Sequence, residues 1–256
     1  MNKEVAMKGQ TIVCLGELLI DFVCTDIAQG LVNGENFLKK AGGAPANVAV
    51  TIARLGGSAR LAAQVGNDPF GEFLIQTLRN ESLDTSLIVR DRHVPTTLAF
   101  VGIQNDGERD FVFCRGADGN LALQSLPADF LDDCGIVHLG AATGLLDGEL
   151  YSTYIAVAQR AKEEGKMLSF DPNFRSGLWG GNEEEFIRRC EPFLNIADAI
   201  KMSEEELEQI GDRVKLSDKE RLDYRELPEE ARQKLKDFLN RYKGNVDRSP
   251  QLYSEF

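Results

Sequence analysis

Hydrophobic and polar positions alternate with two different periods over the first third of the chain. The apolar run at residues 11–24 predicts a buried strand, and residues 60–65 predict a second one. Helical spacing of apolar positions predicts helices at residues 44–55 and 69–79. Because strand, helix and strand follow one another in this order, we expect a parallel sheet with right-handed crossovers.

Residues 86–114 interrupt this pattern with three short stretches that are typical of strands, at 86–90, 97–104 and 109–114. The sequence Asn105-Asp106-Gly107 between the last two is typical of a hairpin turn. No helical spacing separates these strands. We therefore expect a small antiparallel lid over a site in an otherwise α/β chain.

The alternation of strands and helices resumes after the predicted lid. Strands are predicted at 135–139, 168–171 and 199–202, and helices at 148–164, 183–194 and 204–210. These elements complete a predicted α/β domain at residues 1–211.

Residues 212–256 differ in composition, since 21 of these 45 residues are charged. One helix is predicted there, at residues 228–243, beginning at Pro228 and ending before Gly244. We therefore treat residues 212–256 as a separate, charged and partly helical tail.

Composition excludes several classes of protein. The chain has 256 residues, of which 43% are hydrophobic, enough for one large domain with a buried core. Its formal net charge of −12 argues against a nucleic-acid partner, whose phosphates it would repel. No apolar run is long enough to cross a membrane. Five widely spaced cysteines without a CxxC pair indicate buried thiols in a reducing, cytoplasmic compartment.

The strongest motif is the sequence AGGAPANVA at residues 41–49. Gly42 and Gly43 permit backbone angles that are closed to other residues, and such a pair can act as a hinge. Asn47 follows in the first turn of the predicted helix, where its amide either binds hydroxyl groups of a ligand or caps the helix.

A second motif, DPNFR at residues 171–175, follows a predicted strand. Ligands of open α/β sheets bind at the carboxyl ends of strands, so Asp171, Asn173 and Arg175 are candidate binding residues. Arg175 would face either a sugar or a phosphate. A third motif, SEEE at residues 203–206, begins a predicted helix, where glutamates commonly complement the helix dipole.

Together with GELLID at residues 16–21, LGG at 55–57 and VGNDPFG at 65–71, these motifs resemble the ribokinase-type (pfkB) carbohydrate kinases, closest to fructokinases. The resemblance covers about residues 12–210. It implies a ribokinase-like three-layer α/β/α fold with a small antiparallel β lid, whose lid segments lie at about 22–36 and 95–115.

The resemblance also implies an activity. ATP would donate its γ-phosphate, with Mg²⁺, to a primary hydroxyl of a sugar, D-fructose in the first place. The wider family often forms homodimers through the lids, and an exposed lid edge invites strand pairing.

Residue roles follow from the same resemblance. Asp21 and Asn47 would hydrogen-bond sugar hydroxyls, while Gly42 and Gly43 would let the lid close. Glu206 would hold the water shell of Mg²⁺, with Ser203 where the wider family has Asn. The full set of candidate site residues is Asp21, Gly42, Gly43, Asn47, Asp171, Asn173, Arg175 and Glu206.

The family's Gly-Ala-Gly-Asp motif, which supplies an anion hole and a catalytic base, does not occur in the sequence. The stretches GADG at residues 116–119 and GAATG at 140–144 do not fit it. No catalytic base is therefore assigned, and we expect the C-terminal part of the fold to be truncated or replaced. The alternative to a working kinase is a non-catalytic sugar-binding or dimerising remnant, or a truncated or chimeric product.

Overall fold

A computed structural model describes residues 11–26, 28–104 and 109–211. The turn predicted at residues 105–107 and the helix predicted at 228–243 lie outside the described residues. The five described cysteines are unpaired, and Cys114 is exposed, which corrects the expectation that every thiol is buried. No described helix has the length and apolar character needed to cross a bilayer.

The described residues form ten strands and seven helices. The strands are β1 (Thr11–Leu15), β2 (Leu19–Cys24), β3 (Phe37–Gly42), β4 (Ala59–Gly66), β5 (Ile88–Asp91), β6 (Leu98–Ile103), β7 (Arg109–Cys114), β8 (Cys134–Gly140), β9 (Met167–Asp171) and β10 (Ala199–Ile200). The helices are α1 (Gly30–Asn33), α2 (Ala44–Arg54), α3 (Pro69–Asn80), α4 (Glu149–Glu163), α5 (Ser176–Trp179), α6 (Glu183–Ile196) and α7 (Glu204–Gly211).

The main sheet has six parallel strands in the order β10-β9-β8-β1-β4-β5. Different helices cover the two faces of this sheet. Successive side chains of a strand point to opposite faces, so each strand contributes to both cores. In β1, Val13 and Leu15 pack in a core with residues of α4 and α6, whereas Cys14 packs with residues of α2 and α3. The predicted three-layer α/β/α fold is therefore confirmed.

The prediction of a single strand at residues 11–24 is wrong. The run is divided into β1 in the main sheet and β2 in a second sheet. The chain turns between them at Gly16, whose φ is +148°, and at Glu17, which is buried. The apolar residues on both sides of Gly16 and Glu17 made the two strands look like one, because the sequence does not show which sheet each strand joins.

The second sheet is the lid, with four strands in the order β3-β2-β6-β7. Strands β6 and β7 pair antiparallel, as predicted, and β2 pairs antiparallel with β3 and parallel with β6. Strand β3 lies outside the predicted lid segments. The strand predicted at 86–90 as part of the lid is instead β5, which pairs in parallel with β4 at the edge of the main sheet.

The order of the main sheet reverses at β1. From this strand the sheet continues to β4 on one side and to β8 on the other. Ligands bind at such a reversal, beyond the carboxyl ends of the strands. The lid strand β2 follows β1 at this place, and the motif at 171–175 begins at the end of β9.

Candidate functional site

Asp21 lies on the strand that joins the body to the lid, directly opposite Lys40 of β3. Its carboxylate lies against Gly42, where a Cβ atom would overlap it. Any side chain at position 42 would therefore displace the carboxylate of Asp21. The first glycine of the motif is explained by this close approach.

Gly43 is required for a different reason. Its φ of +112° lies in a region that other residues rarely adopt, and a Cβ atom there would overlap the backbone carbonyl of Glu17. Helix α2 begins at the next residue, and the amide of Ala44 donates to Oε1 of Glu17 at 2.9 Å. Together these contacts fix the start of α2 beneath the lid.

Asn47 lies in the first turn of α2 with an exposed side chain. Its backbone amide donates to the carbonyl oxygen of Gly43 at 2.9 Å, and its own carbonyl accepts from Thr51 Oγ1 at 2.7 Å. Gly43 occupies the N-cap position, and no side chain caps the helix there. Of the two interpretations of Asn47, the capping one therefore has no support among the described contacts.

The charges around Asp21 come from both sides of the site. Burial raises the pKa of Asp21 to about 6, while the positive charges of Lys40 and Arg175 oppose this rise. Arg175 belongs to the loop after β9, yet its charge acts on Asp21. The structure thus brings Arg175 within electrostatic range of Asp21, and whether it faces a sugar or a phosphate stays a prediction.

The end of β9 and the loop that follows it place two further polar side chains at the sheet edge, Asp171 and Asn173. Asp171 is buried, and its Oδ2 lies 3.3 Å from Nζ of Lys201. Its Oδ1 is also buried and has no hydrogen-bond partner among the described residues. Burial raises the pKa of Asp171. Asn173 is buried with φ +48°, an angle that asparagine tolerates better than most residues.

Glu206 is 4% exposed and is held by backbone amides. Oε1 accepts from the amide of Phe174 at 2.6 Å, and Oε2 accepts from the amide of Ser203 at 2.7 Å. Oγ of Ser203 in turn accepts from the amide of Glu206 at 3.2 Å. This reciprocal pair is a capping box, to which the contact with Phe174 adds a connection to the loop after β9.

The fit of Mg²⁺ depends on two neighbouring carboxylates. The charge of Glu206 contributes to the raised pKa of Asp171, so the two acids are close, and Asp171 Oδ1 has no partner among the described residues. Mg²⁺ commonly uses only one or two carboxylates with waters and phosphates. The described residues contain no cluster of three or more His, Cys, Asp or Glu that could hold a metal. Asp171 and Glu206 fit a Mg²⁺ ion that keeps most of its water ligands. Two carboxylates are too few to enclose a metal ion without water.

The sequence analysis missed one buried cluster of polar side chains, formed by Glu17, Asp118 and Thr143. Asp118 and Thr143 belong to the two glycine-containing stretches, at 116–119 and 140–144, that did not fit the missing motif. The signal in the sequence was Glu17, an acid within the apolar run at 11–24 that has no partner nearby in the chain. Lys40 was also missed, since its strand was not predicted.

The sequence and the fold of the chain are similar to those of known proteins. The sequence profile described as pfkB family carbohydrate kinase matches residues 10–243. The chain belongs to this family. The match extends past Gly211, and the domain boundary proposed there stays a prediction.

Individual pfkB relatives include plant fructokinases. "Probable fructokinase-7" of Arabidopsis thaliana is 41% identical over 198 residues, covering 77% of this chain and 57% of the relative. "Fructokinase-1" of Oryza sativa subsp. japonica is 38% identical over 208 residues, covering 79% of this chain and 63% of the relative. The chain thus spans about three-fifths of the length of these curated relatives.

A solved pfkB-type structure has the same fold. The fructokinase from Xylella fastidiosa with bound ATP superposes with a TM-score of 0.70 at 38% identity, covering 80% of this chain and 61% of that one. The expected fold and family are therefore confirmed, and the chain is related to carbohydrate kinases.

Proposed function

We propose that the chain carries the sugar site of a fructokinase-type, ATP-dependent kinase. The transferred group would be the γ-phosphate of ATP, and the acceptor a primary hydroxyl of D-fructose. The observation that carries this proposal is the partly buried carboxylate of Asp21, which lies against Gly42 and on which the positive charges of Lys40 and Arg175 act. A carboxylate flanked by a guanidinium can accept two hydroxyl hydrogens of a polyol and offer donors to its oxygens.

The other candidate residues complete this binding role. Asn47, exposed on the first turn of α2, and Asn173, in the loop after β9, each offer an amide donor and an amide acceptor. Gly42 and Gly43 join the lid strand β3 to α2, where a change of backbone angles would move the lid. Asp171, the last residue of β9, adds a carboxylate to these polar groups at the carboxyl end of the sheet.

ATP as the donor is supported by the ATP-bound fructokinase from Xylella fastidiosa. Asp171 and Glu206 are the residues of this chain that would hold the hydrated Mg²⁺. When bound, the ion would neutralise charge on the phosphates. The two backbone contacts of Glu206 leave it able to accept further hydrogens from water, since an ionised carboxylate has about four acceptor positions.

We further propose that the chain transfers phosphate slowly on its own. In the balanced reaction the hydroxyl oxygen bonds to Pγ, the bond to the leaving oxygen of ADP breaks, and the hydroxyl proton passes to a base. The sequence lacks Gly-Ala-Gly-Asp, the family's source of that base. The loss of a general base lowers a rate by about 10²- to 10⁴-fold. A sugar-binding module without useful activity is the second candidate function, favoured by this one observation.

A homodimer through the lids is also part of the proposal. Several large apolar side chains of the lid are exposed, namely Phe37, Leu38, Ile103, Phe111 and Val112. Exposed apolar side chains at the two edge strands of the lid favour pairing with another copy of the chain. Light scattering at micromolar concentration should give twice the chain mass, and a monomer mass would contradict the dimer.

The proposed function is tested with one panel of sugars and two readouts. Calorimetry measures binding of D-fructose, D-ribose, adenosine and 2-keto-3-deoxygluconate, and a coupled assay measures ADP release with each. We expect binding of D-fructose in preference to the others, and turnover well below the 1–100 s⁻¹ that is about ordinary for kinases. Absence of binding for every sugar would contradict the sugar site. Turnover in the ordinary range would contradict the slow transfer.

A further inference from the structure

A buried polar cluster lies where the lid joins the body. Its centre is Thr143, whose Oγ1 lies 2.6 Å from Oδ2 of Asp118 and 3.5 Å from Oε2 of Glu17. These three side chains are each only 1% exposed. The second carboxylate oxygen of Asp118 accepts from the hydroxyl of Thr97, and Oε1 of Glu17 accepts from the amide of Ala44 at 2.9 Å.

The cluster contains more negative than positive charge. Arg115 is the cation beside it, with Nε at 3.7 Å from Oδ2 of Asp118. One guanidinium balances one carboxylate, and a second ionised carboxylate without water or a cation is strongly disfavoured in a buried site. One of the two acids must therefore be neutral. Glu17 is the one with no cation in direct contact among the described residues.

We propose that Glu17 and Asp118 share one proton through Thr143, and that this neutral–ionised pair positions the sugar-binding end of α2 beneath the lid. The proton resides on Oε2 of Glu17, which donates to Thr143, and Thr143 donates to ionised Asp118. Every oxygen then has a partner: Thr97 donates to the other oxygen of Asp118, and Ala44 to the other oxygen of Glu17. No group is oxidised or reduced, and no proton is lost.

The pair connects the segments that any lid movement must displace. Glu17 lies between β1 and β2, Thr97 precedes β6, and Asp118 follows β7 by four residues. Through Ala44, Glu17 also holds the N-terminus of α2, immediately after Gly43. Glu17 and Asp118 are therefore positioning residues, which act on the sugar through the backbone at 42–47. This part of the inference rests on the proposed sugar-binding function.

Titration of the pair depends on the ionisable groups that face it. These are Arg115 and Tyr154, together with Cys14, whose thiol lies near Tyr154. Burial, and to a lesser degree the charge of Asp118, raises the pKa of Glu17 to about 8. A carboxyl whose pKa is raised on folding holds its proton in the folded chain after the unfolded chain has lost it. The contribution of Glu17 to stability is therefore highest below the ordinary glutamate pKa and falls as the pH rises toward about 8.

Infrared difference spectroscopy tests the shared proton on the whole chain, without a sugar. We expect the C=O stretch of a protonated carboxyl in the wild-type chain at about pH 7, where Asp21 is mostly ionised, and we expect it to disappear as the pH rises to about 9. Glu17→Gln should lack this band. Glu163→Gln, which changes an exposed glutamate, should retain it. Absence of the band in the wild-type chain, or its persistence in Glu17→Gln, would overturn the assignment of the proton.

Calorimetry with D-fructose tests the positioning role. A glutamine keeps an acceptor for Ala44 and a donor for Thr143, so Glu17→Gln should bind within about twofold of wild type. Glu17→Ala and Thr143→Val should bind about tenfold more weakly, which corresponds to about 1.4 kcal/mol, and Thr143→Ser should restore binding. Wild-type affinity in Glu17→Ala would overturn the positioning role. A wild-type chain that binds no sugar would refute the proposed function and leave the infrared result to decide on the proton.

Discussion

The two sides of the candidate site are held in different ways. On the lid side, the carboxylate of Asp21 lies against a glycine, and the positive charges of Lys40 and Arg175 act on it. On the body side, both carboxylate oxygens of Glu206 accept backbone amides, so this acid also holds the loop after β9 in place. The surroundings of Asp21 therefore favour the binding of a ligand, whereas the contacts of Glu206 favour the stability of the loop after β9.

The same contrast appears within the glycine pair. Gly42 avoids a side chain, the movable carboxylate of Asp21, whereas Gly43 avoids a backbone carbonyl and adopts a positive φ. A side chain can rotate away and a packed backbone cannot. Replacing each glycine should therefore separate an effect on binding from an effect on folding.

Gly43→Ala should give the largest loss of stability. Its positive φ and its overlap with the backbone of Glu17 should lower the free energy of unfolding by about 3 kcal/mol or more, measured by denaturant titration. Gly56→Ala is the matched control, because Gly56 also has a positive φ, +79°, but open space around its Cβ position. The control should lose only about 1 kcal/mol. Equal losses in the two variants would contradict the steric account of Gly43.

Glu206→Ala should destabilise the chain without any nucleotide or metal present. It removes the acceptor of two backbone amides, and we expect a loss of about 2 kcal/mol in the free energy of unfolding. Ser203→Ala removes only the reciprocal cap and should lose about 1 kcal/mol. If thermal and chemical denaturation of Glu206→Ala matched wild type, the structural role of this carboxylate would be refuted.

Gly42→Ala should weaken binding more than it weakens the fold. The added methyl group displaces the carboxylate of Asp21, and we expect D-fructose to bind about tenfold more weakly, a difference of about 1.4 kcal/mol. The free energy of unfolding should change by less than in Gly43→Ala. Unchanged affinity in Gly42→Ala, measured by calorimetry, would show that the position of this carboxylate is unimportant to the sugar.

The pH dependence of binding should be the smallest effect near neutrality. With its pKa at about 6, Asp21 is mostly ionised at pH 7 and becomes protonated below pH 6. If the ionised form binds the sugar, titration of Asp21 leaves affinity nearly unchanged above pH 7 and lowers it about tenfold for each pH unit below 6. Asp21→Asn should abolish this dependence. Affinity that is independent of pH between 5 and 7 in the wild-type chain would be evidence against a binding role for the carboxylate.

The sequence predicted those parts of the fold whose signal is local. Helices α2 and α7 were predicted because their apolar spacing is a local signal. The glycine pair was recognised as a motif, but the groups that require it, the carboxylate of Asp21 and the carbonyl of Glu17, lie in distant parts of the chain. Strand β3 was missed because Lys39 and Lys40 interrupt its apolar pattern. In the structure Nζ of Lys39 lies 3.8 Å from the ring centroid of Phe73, and Lys40 pairs across the sheet with Asp21. Partners from distant segments make these polar residues compatible with a strand, and one sequence does not reveal them.

Two other errors have the same origin. Strand β5 was assigned to the lid because its composition says nothing about which strand it pairs with, and its partner β4 lies before α3 in the chain. The break between β1 and β2 was missed because Glu17 lies in an apolar run and obtains its partners from residues 44 and 143. The acid in this run signals a buried polar partner, but the sequence does not show that Thr143 and Asp118 form the cluster with it.

The most direct test of the sugar site is calorimetric titration of D-fructose into the wild-type chain and Asp21→Ala at neutral pH, with Glu163→Ala as a control at an exposed glutamate. The account predicts saturable binding by the wild type and the control. It predicts a loss of roughly 1–3 kcal/mol in Asp21→Ala, the scale of a lost hydrogen bond to a charged group. Equal affinity of Asp21→Ala and the wild-type chain would contradict the account.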